Sequence, residues 1–187
     1  SLVGRAFRAQ IGRQLKGIRH MANVAVSHES FATNPIDVVE RMVDENEWFS
    51  ERRSDGEMSV QAPGQWCDYS LYFAWNQTAS AMHFTCAFEA RVPPEKRATI
   101  YELLARINER IWLGHFALCD DEGMPMYRHT MLLRGVGGST SEQVQDLLEV
   151  ALEECERFYP AFQHVIWAGK NAEDAIAAAI LDPVGEA

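Results

Sequence analysis

The 187-residue chain lacks the short motifs that supply the common enzymatic and metal chemistries. It has no HExxH zinc motif, no GxSxG nucleophile elbow and no CxxC pair. Its glycine-rich stretch, Gly135 to Gly138, lacks both the lysine of a Walker loop and the spacing of a dinucleotide fingerprint. We therefore expect a protein that is not an enzyme, with no catalytic residues, no bound metal and no cofactor.

Long apolar runs and an excess of positive charge are also missing. No apolar run approaches the roughly 20 residues that a helix needs to cross a bilayer. The net charge is −10 and the isoelectric point is near 5.0, whereas a nucleic-acid-binding surface is normally basic. We expect no nucleic-acid partner, and no membrane partner for the body of the chain.

Cysteine is scarce and widely spaced, at Cys67, Cys86, Cys119 and Cys155. Buried free thiols in a reducing compartment are the simpler interpretation, and they favour a cytoplasmic location. A cross-strand bridge between Cys67 and Cys86 is the alternative, because both could face the core side of one hairpin.

Residues 1 to 20 differ in charge from everything that follows. No acid precedes Glu29, and without the five basic residues of this tract the body has a net charge of −15. These basic residues are Arg5, Arg8, Arg13, Lys16 and Arg19. Apolar residues recur between them at helical spacing, namely Phe7, Ile11, Leu15 and Ile18. We favour a dispensable extension ahead of Met21, and a membrane-surface or targeting helix is the alternative.

The region from Trp66 to Arg91 predicts a β-hairpin. Side chains alternate between the two faces of a strand, and both arms alternate apolar residues with others. A short polar loop over residues 76–80 joins the arms. We expect Trp66–Trp75 to pair with Ala81–Arg91. Three residues of the first arm should face the core: Tyr69, Leu71 and Phe73.

Apolar residues at spacings of three and four predict helices on both sides of this hairpin. The first runs from Pro35 to near Trp48, and the second from Pro94 to Leu113. The third covers Ser141–Tyr159, where Pro160 should kink or break it, and a last short helix ends at Pro183.

Two further turn signals place the remaining strands. The Asp55-Gly56 pair precedes a strand around Met58 and Val60. The acidic turn Asp120–Gly123 joins a second, weaker hairpin, and Gly114 would cap the helix before it. These boundaries divide the chain into a basic extension and linker (1–33), a domain (34–182) and a tail (183–187).

Polar residues in the predicted strands are candidates for acid–base or metal chemistry. His83, His115 and His129 show no metal-ligand spacing, so solvent-facing histidines on a sheet are expected. Asp68 and Glu89 indicate cross-strand charge pairing more than a carboxylate pair for catalysis.

Three aromatic residues of the hairpin are the candidate protein-binding residues. If Tyr69 faces the helices, Trp66 and Tyr72 face the other way, and Trp75 also needs a cover. Large exposed apolar patches usually indicate association, so these residues predict a partner surface unless the last helix covers them.

The order of elements and five short stretches together resemble the YbjN family. These stretches are Asn34–Asp37, Trp66–Phe73, Leu113–Phe116, Met126–His129 and Glu154–Pro160. The resemblance spans about residues 34 to 182. It implies an α+β fold similar to type III secretion chaperones, with helices packed on a bent antiparallel sheet of about five strands (α-β-β-β-α-β-β-α).

The resemblance also bears on function. Members of the family are described as bacterial sensory transduction regulators, without accepted catalytic residues that could be assigned here. Secretion chaperones usually pair as homodimers and hold extended segments of a client. We therefore expect a cytoplasmic, chaperone-like regulator that binds a protein client. The resemblance gives a homodimer as its expected assembly and leaves the client unnamed. A small-molecule sensor with an enclosed apolar pocket is the alternative.

Overall fold

The computed structural model of the chain describes residues 34–181, which form an α+β domain. In chain order, its elements are α1 (Pro35–Glu45), β1 (Phe49–Ser54), β2 (Glu57–Ala62), β3 (Tyr69–Asn76), β4 (Ala81–Ala87), α2 (Arg97–Asn108), β5 (His115–Cys119), β6 (Met124–Leu132), α3 (Ser141–Ile166) and α4 (Ala172–Leu181). The six strands form one antiparallel sheet in the order β1-β2-β3-β4-β6-β5. The expected fold class is confirmed, with one strand more than the sequence predicted.

The central hairpin of β3 and β4 forms as the alternation predicts, with shorter arms. Pairing runs from Ser70 opposite Ala87 to Asn76 opposite Ala81. Phe73 lies opposite Phe84, with ring centroids 4.9 Å apart. Tyr69, Leu71 and Phe73 are buried in the core as expected.

The additional strand is β1, which the sequence analysis missed. It pairs with β2 across the two-residue Asp55-Gly56 turn. Its Arg52 reaches α1, where the guanidinium lies 2.7 Å from the Asp37 carboxylate and 2.6 Å from that of Glu40. Ion pairs in place of apolar contacts attach this strand to α1, so apolar alternation could not reveal it.

The second predicted helix is shorter than expected. One turn of 3₁₀-helix (Pro94–Lys96) leads into α2, which ends at Asn108 well before Leu113. The Asn108 side chain accepts a hydrogen bond from the Phe116 N–H at 2.7 Å and donates to the Phe116 carbonyl at 3.1 Å. Gly114 therefore does not cap the helix, and the intervening residues form a loop that enters β5.

The long helix α3 begins at a capping box and passes through Pro160 without ending. The Thr140 side chain accepts from the Gln143 N–H, and the Gln143 side chain accepts from the Thr140 N–H. Pro160 cannot donate to the Glu156 carbonyl one turn earlier. The indole N–H of Trp66 donates to that carbonyl instead, at 3.2 Å. Of the predicted kink or break at Pro160, the break is wrong: the helix continues to Ile166, because a side chain satisfies the freed acceptor.

The two faces of the sheet differ in what lies against them. All four helices contribute to one large apolar core against the face that includes Leu71, Phe73 and Phe84, here called the helix face. Within residues 34–181, the opposite, distal face holds a separate apolar cluster drawn from strand residues. Its members are Tyr72, Ala74, Ala87, Ala117, Cys119 and Met126.

The described part of the chain also bears on the membrane question. No helix within residues 34–181 is long and apolar enough to cross a bilayer. The basic extension over residues 1–33 and the tail over residues 183–187 lie outside the described residues, so their predicted properties stay predictions.

Candidate functional site

Trp66 lies in the loop before β3 and packs on helix α3. Its ring stacks on Tyr159 with centroids 6.1 Å apart and planes 13° apart, and it remains 41 % exposed. The neighbouring Gln65 N–H donates to the Glu156 carboxylate at 2.6 Å. The strand begins only at Tyr69, so Trp66 does not follow the alternation that would place it on the distal face.

The other two candidate aromatics lie on opposite faces of β3. Tyr72 is on the distal face and only 5 % exposed. Trp75 is partly buried and packs against the main core on the helix face. The three aromatics therefore do not form one surface, and a protein-binding role for each stays a prediction.

The predicted histidines are divided between the two faces. His83 lies on the distal face, where it contacts Thr130 Oγ1 at 2.9 Å, Thr85 Oγ1 at 3.3 Å and Arg128 Nη2 at 3.3 Å. An arginine only donates hydrogen bonds, so His83 Nε2 accepts and its proton lies on Nδ1. His129 pairs with Phe84, on the helix face.

Burial controls the charge of this distal group. It lowers the pKa of His83 to about 4, and the positive charge of Arg128 adds to the effect. The pKa of His115 is lowered by burial first and by Arg128 second. His83 is therefore neutral near pH 7 and serves as a hydrogen-bonding side chain in the sheet.

The predicted acid–base residues do not converge. Asp68 precedes β3 and Glu89 follows β4, at the end of the hairpin where Ser70 pairs with Ala87. His83 lies toward the opposite end, paired with Ala74. Within residues 34–181, no group of three or more His, Cys, Asp or Glu side chains could hold a metal ion.

The cysteines are all free thiols, in a different arrangement from the predicted alternative. Cys86 faces Cys155 of α3 in the core, with the two sulfurs 3.5 Å apart. Cys67 lies in the loop before β3, so it does not pair with Cys86 across the hairpin. Burial raises the pKa of Cys155, and it raises that of Cys67 to about 11, so both remain protonated at neutral pH.

Among residues 34–181, the most exposed aromatic side chain lies in the loop between α2 and β5. Trp112 is 98 % exposed, and its neighbour Leu113 is also exposed. Apolar spacing in the sequence extends the predicted helix through Leu113, and so it does not indicate an exposed loop at this pair. An exposed tryptophan is among the residues most often found at the energetic centre of protein interfaces.

The backbone beneath this tryptophan is fixed to the sheet. Tyr127 of β6 donates a hydrogen bond from Oη to the Leu113 carbonyl at 2.8 Å. Gly114 has φ +66°, and a Cβ there would lie 2.7 Å from the Arg128 carbonyl oxygen, so a larger residue would not fit. The loop therefore presents Trp112 from a fixed base, which lowers the entropic cost of binding.

Both edges of the described sheet are protected against pairing with another strand. Asn108 occupies the backbone N–H and carbonyl of Phe116 on β5. At the other edge, β1 contains three charged residues and an irregularity between Arg52 and Ser54. Charges and irregularities on edge strands oppose strand addition, so contacts through side chains are the better-supported mode of association.

Comparison with known proteins places the chain in a family. Residues 35–164 match the model of the YbjN family, described as "Putative bacterial sensory transduction regulator". No match is found among the curated proteins. A similar solved structure is that of YbjN from E. coli, described as "a putative transcription regulator", with TM-score 0.47 and 14 % identity. It covers 65 % of this chain and 85 % of its own. The family match spans well over half of the sequence, and the chain belongs to the YbjN family of bacterial regulators.

Proposed function

We propose that this protein is a non-enzymatic, chaperone-like regulator that acts by binding another polypeptide through the loop at Trp112 and Leu113. The observation that carries the proposal is the 98 % exposure of Trp112 on a loop fixed by Tyr127. Burying a large apolar side chain contributes about 1.5–3 kcal/mol, so a partner that covers Trp112 gains affinity without ordering the loop first.

The chemistry around the loop suggests the kind of partner. The body has a net charge of −15, which favours a basic client with an apolar residue that packs on the indole. The protected edges at Asn108 and β1 disfavour a client that adds a strand to the sheet. We expect the client to dock against the loop by its side chains.

The same surface could join two copies of the chain, as the resemblance to dimeric chaperones implies. A twofold pair would place Trp112 of one protomer against the same region of its partner. Light scattering at several protein concentrations should then report a dimer, and Trp112→Ala should shift it toward monomer. A wild-type monomer at all concentrations would contradict the dimer.

The polypeptide-binding proposal is tested by pull-down from a native bacterial extract with matched tryptophan variants. Trp112→Ala removes the proposed contact, and Trp167→Ala removes an indole that is 62 % exposed at the end of α3. A partner retained by wild type and Trp167→Ala but lost by Trp112→Ala, at unchanged thermal midpoints, supports the proposal. A partner retained by Trp112→Ala would contradict this loop as the site.

Stabilisation of the protein by a metabolite, with no captured protein, would favour the small-molecule sensor alternative.

A further inference from the structure

Two cysteines from separate elements meet in the core of the domain. Cys86 of β4 and Cys155 of α3 are both fully buried, and their sulfur atoms lie 3.5 Å apart. This distance is van der Waals contact for two sulfur atoms. The two residues are 69 positions apart in the sequence, so only the folded chain brings their thiols together.

The backbones around this contact are also close. Helix α3 and strand β4 include residue pairs whose Cα atoms lie within 8 Å of each other, and a disulfide joins Cα atoms about 4.4–6.8 Å apart. Ala151 precedes Cys155 by one turn, on the same side of the helix, and is fully buried as well. Two small side chains in successive turns let α3 approach the sheet closely. Closing the bond requires the two sulfurs to move together by roughly 1.5 Å.

The other two cysteines are placed differently. Cys67 lies in the loop before β3 and is partly exposed. Cys119 belongs to the apolar cluster on the distal face, whereas Cys86 belongs to the core on the helix face. The sulfur contact therefore favours the pair Cys86–Cys155 over pairings with Cys67 or Cys119.

Burial protects the Cys86 and Cys155 thiols once the domain has folded. Both residues are 0 % exposed, so an oxidant in solution reaches either sulfur only after the structure opens locally. Burial also raises the pKa of the Cys155 thiol, which keeps it protonated, whereas the thiolate is the form that reacts. The two thiols therefore react fastest before or during folding, when they meet solvent.

We infer that Cys86 and Cys155 are a redox-sensitive pair whose state is fixed while the chain folds. A chain that folds in the presence of a small-molecule disulfide acquires the Cys86–Cys155 bond, and a chain that folds without one retains both thiols. The inference goes beyond the proposed function, and it does not depend on binding at Trp112.

The reaction consists of two successive thiol–disulfide exchanges with a compound such as glutathione disulfide. One cysteine of the folding chain, as its thiolate, attacks the S–S bond of this compound, which forms a mixed disulfide and releases one glutathione thiolate. The second cysteine then attacks the protein sulfur of the mixed disulfide and releases the second glutathione. Two protein thiols are thereby oxidised by two electrons, one glutathione disulfide is reduced, and the two thiol protons end on the two glutathiones.

The bond ties α3 to the sheet at the centre of the core. A link between two residues 69 positions apart restricts the unfolded chain and so stabilises the folded state relative to it. We expect the thermal midpoint of the linked protein to exceed that of the reduced protein by roughly 5 °C or more.

Refolding under two redox conditions tests the pairing. The full chain is unfolded and reduced, then refolded either with glutathione disulfide or with reduced glutathione alone, and one portion of each sample gives the thermal midpoint. In a second portion, free thiols are blocked with N-ethylmaleimide, and peptides are mapped by mass spectrometry after pepsin digestion without reduction. We expect linked Cys86 and Cys155 peptides in the first sample only. Cys67→Ala and Cys119→Ala should retain the link, whereas Cys155→Ala should lose it and show the same midpoint in both buffers.

Folded, reduced protein placed in the same glutathione disulfide buffer tests when the bond forms. It should acquire the bond at least about tenfold more slowly than the refolding chain, and equal rates would overturn the assignment of the redox step to folding. Absence of the Cys86–Cys155 link in the refolded wild type, or a principal link through Cys67 or Cys119, would overturn the pairing. A linked chain with a lower midpoint than the reduced chain would also overturn the inference, because the core would then not accommodate the bond.

Discussion

The two faces of the sheet are both buried at their centres, yet they are built differently. The helix face is apolar, with Phe73 and Phe84 in direct ring contact. On the distal face, His83 lies within hydrogen-bonding distance of both Thr85 and Arg128, beside a smaller apolar cluster. Alternation along a strand predicts that the sheet has two faces, whereas the helices that pack on the helix face come from distant parts of the chain.

The largest expected effect breaks the helix face. Phe73 is fully buried, so Phe73→Ala should lower the free energy of unfolding by about 3–5 kcal/mol. Leu132→Ala, at the exposed margin of the distal face, should change it by no more than about 0.5 kcal/mol. Chemical denaturation of both variants measures the difference. Similar losses of unfolding free energy in the two variants would show that Leu132 is packed in the folded protein.

The next prediction concerns the polar centre of the distal face. The pKa of His83 is lowered to about 4 in the folded protein, against about 6.5 in the unfolded chain. Near pH 5 the unfolded chain therefore binds a proton that the folded protein does not. The stability linked to His83 is fully present above pH 6.5 and is lost as the pH falls toward 4.

Denaturant unfolding near pH 7, 6 and 5 measures this loss. His83 contributes at most about 1.4 kcal/mol per pH unit to the slope of the unfolding free energy against pH. His83→Gln should remove that contribution. An identical pH slope in His83→Gln would contradict a neutral, partly buried His83 on the distal face.

The smallest expected effect lies beside the helix face, where Trp66 meets α3. Trp66→Phe keeps an aromatic ring near Tyr159 but leaves the Glu156 carbonyl without its indole donor, at a cost of about 0.5–1.5 kcal/mol. Pro160→Ala restores a backbone N–H to that carbonyl. Trp66→Phe should therefore lower the free energy of unfolding by less in the Pro160→Ala variant than in the wild type. An equal loss in both backgrounds would show that the indole does not replace the missing backbone donor.

Much of the helix face could be predicted from the sequence. Alternation gave the β3–β4 hairpin and its core residues, such as Leu71 and Phe73, because each arm has one apolar face. Strand β1 was not predicted, because Phe49 is exposed and Arg52 forms ion pairs with acidic residues of α1. A strand held by ion pairs has no apolar period to detect.

The errors near Trp66 share a physical cause. The alternation was extended beyond the true start of β3 at Tyr69, which misplaced Trp66 and Cys67. Pro160 predicts a kink or a break in α3, because the local sequence does not show the indole that satisfies the Glu156 carbonyl. These outcomes depend on contacts about 90 residues apart in the chain.

The candidate binding site was the least predictable part. Trp112 stands out only when the helix before it ends at Asn108, and that end depends on the contact with Phe116. The sequence instead indicated Trp66, Tyr72 and Trp75, which the fold distributes over a loop and both faces of β3. Exposure of an individual side chain follows from tertiary structure, and sequence periodicity alone does not fix it.

The pull-down with matched tryptophan variants tests the account most directly. If the loop after α2 is the binding site, Trp112→Ala should lose a partner that the wild type and Trp167→Ala retain, at unchanged thermal midpoints. Retention of that partner by Trp112→Ala would contradict binding through this loop.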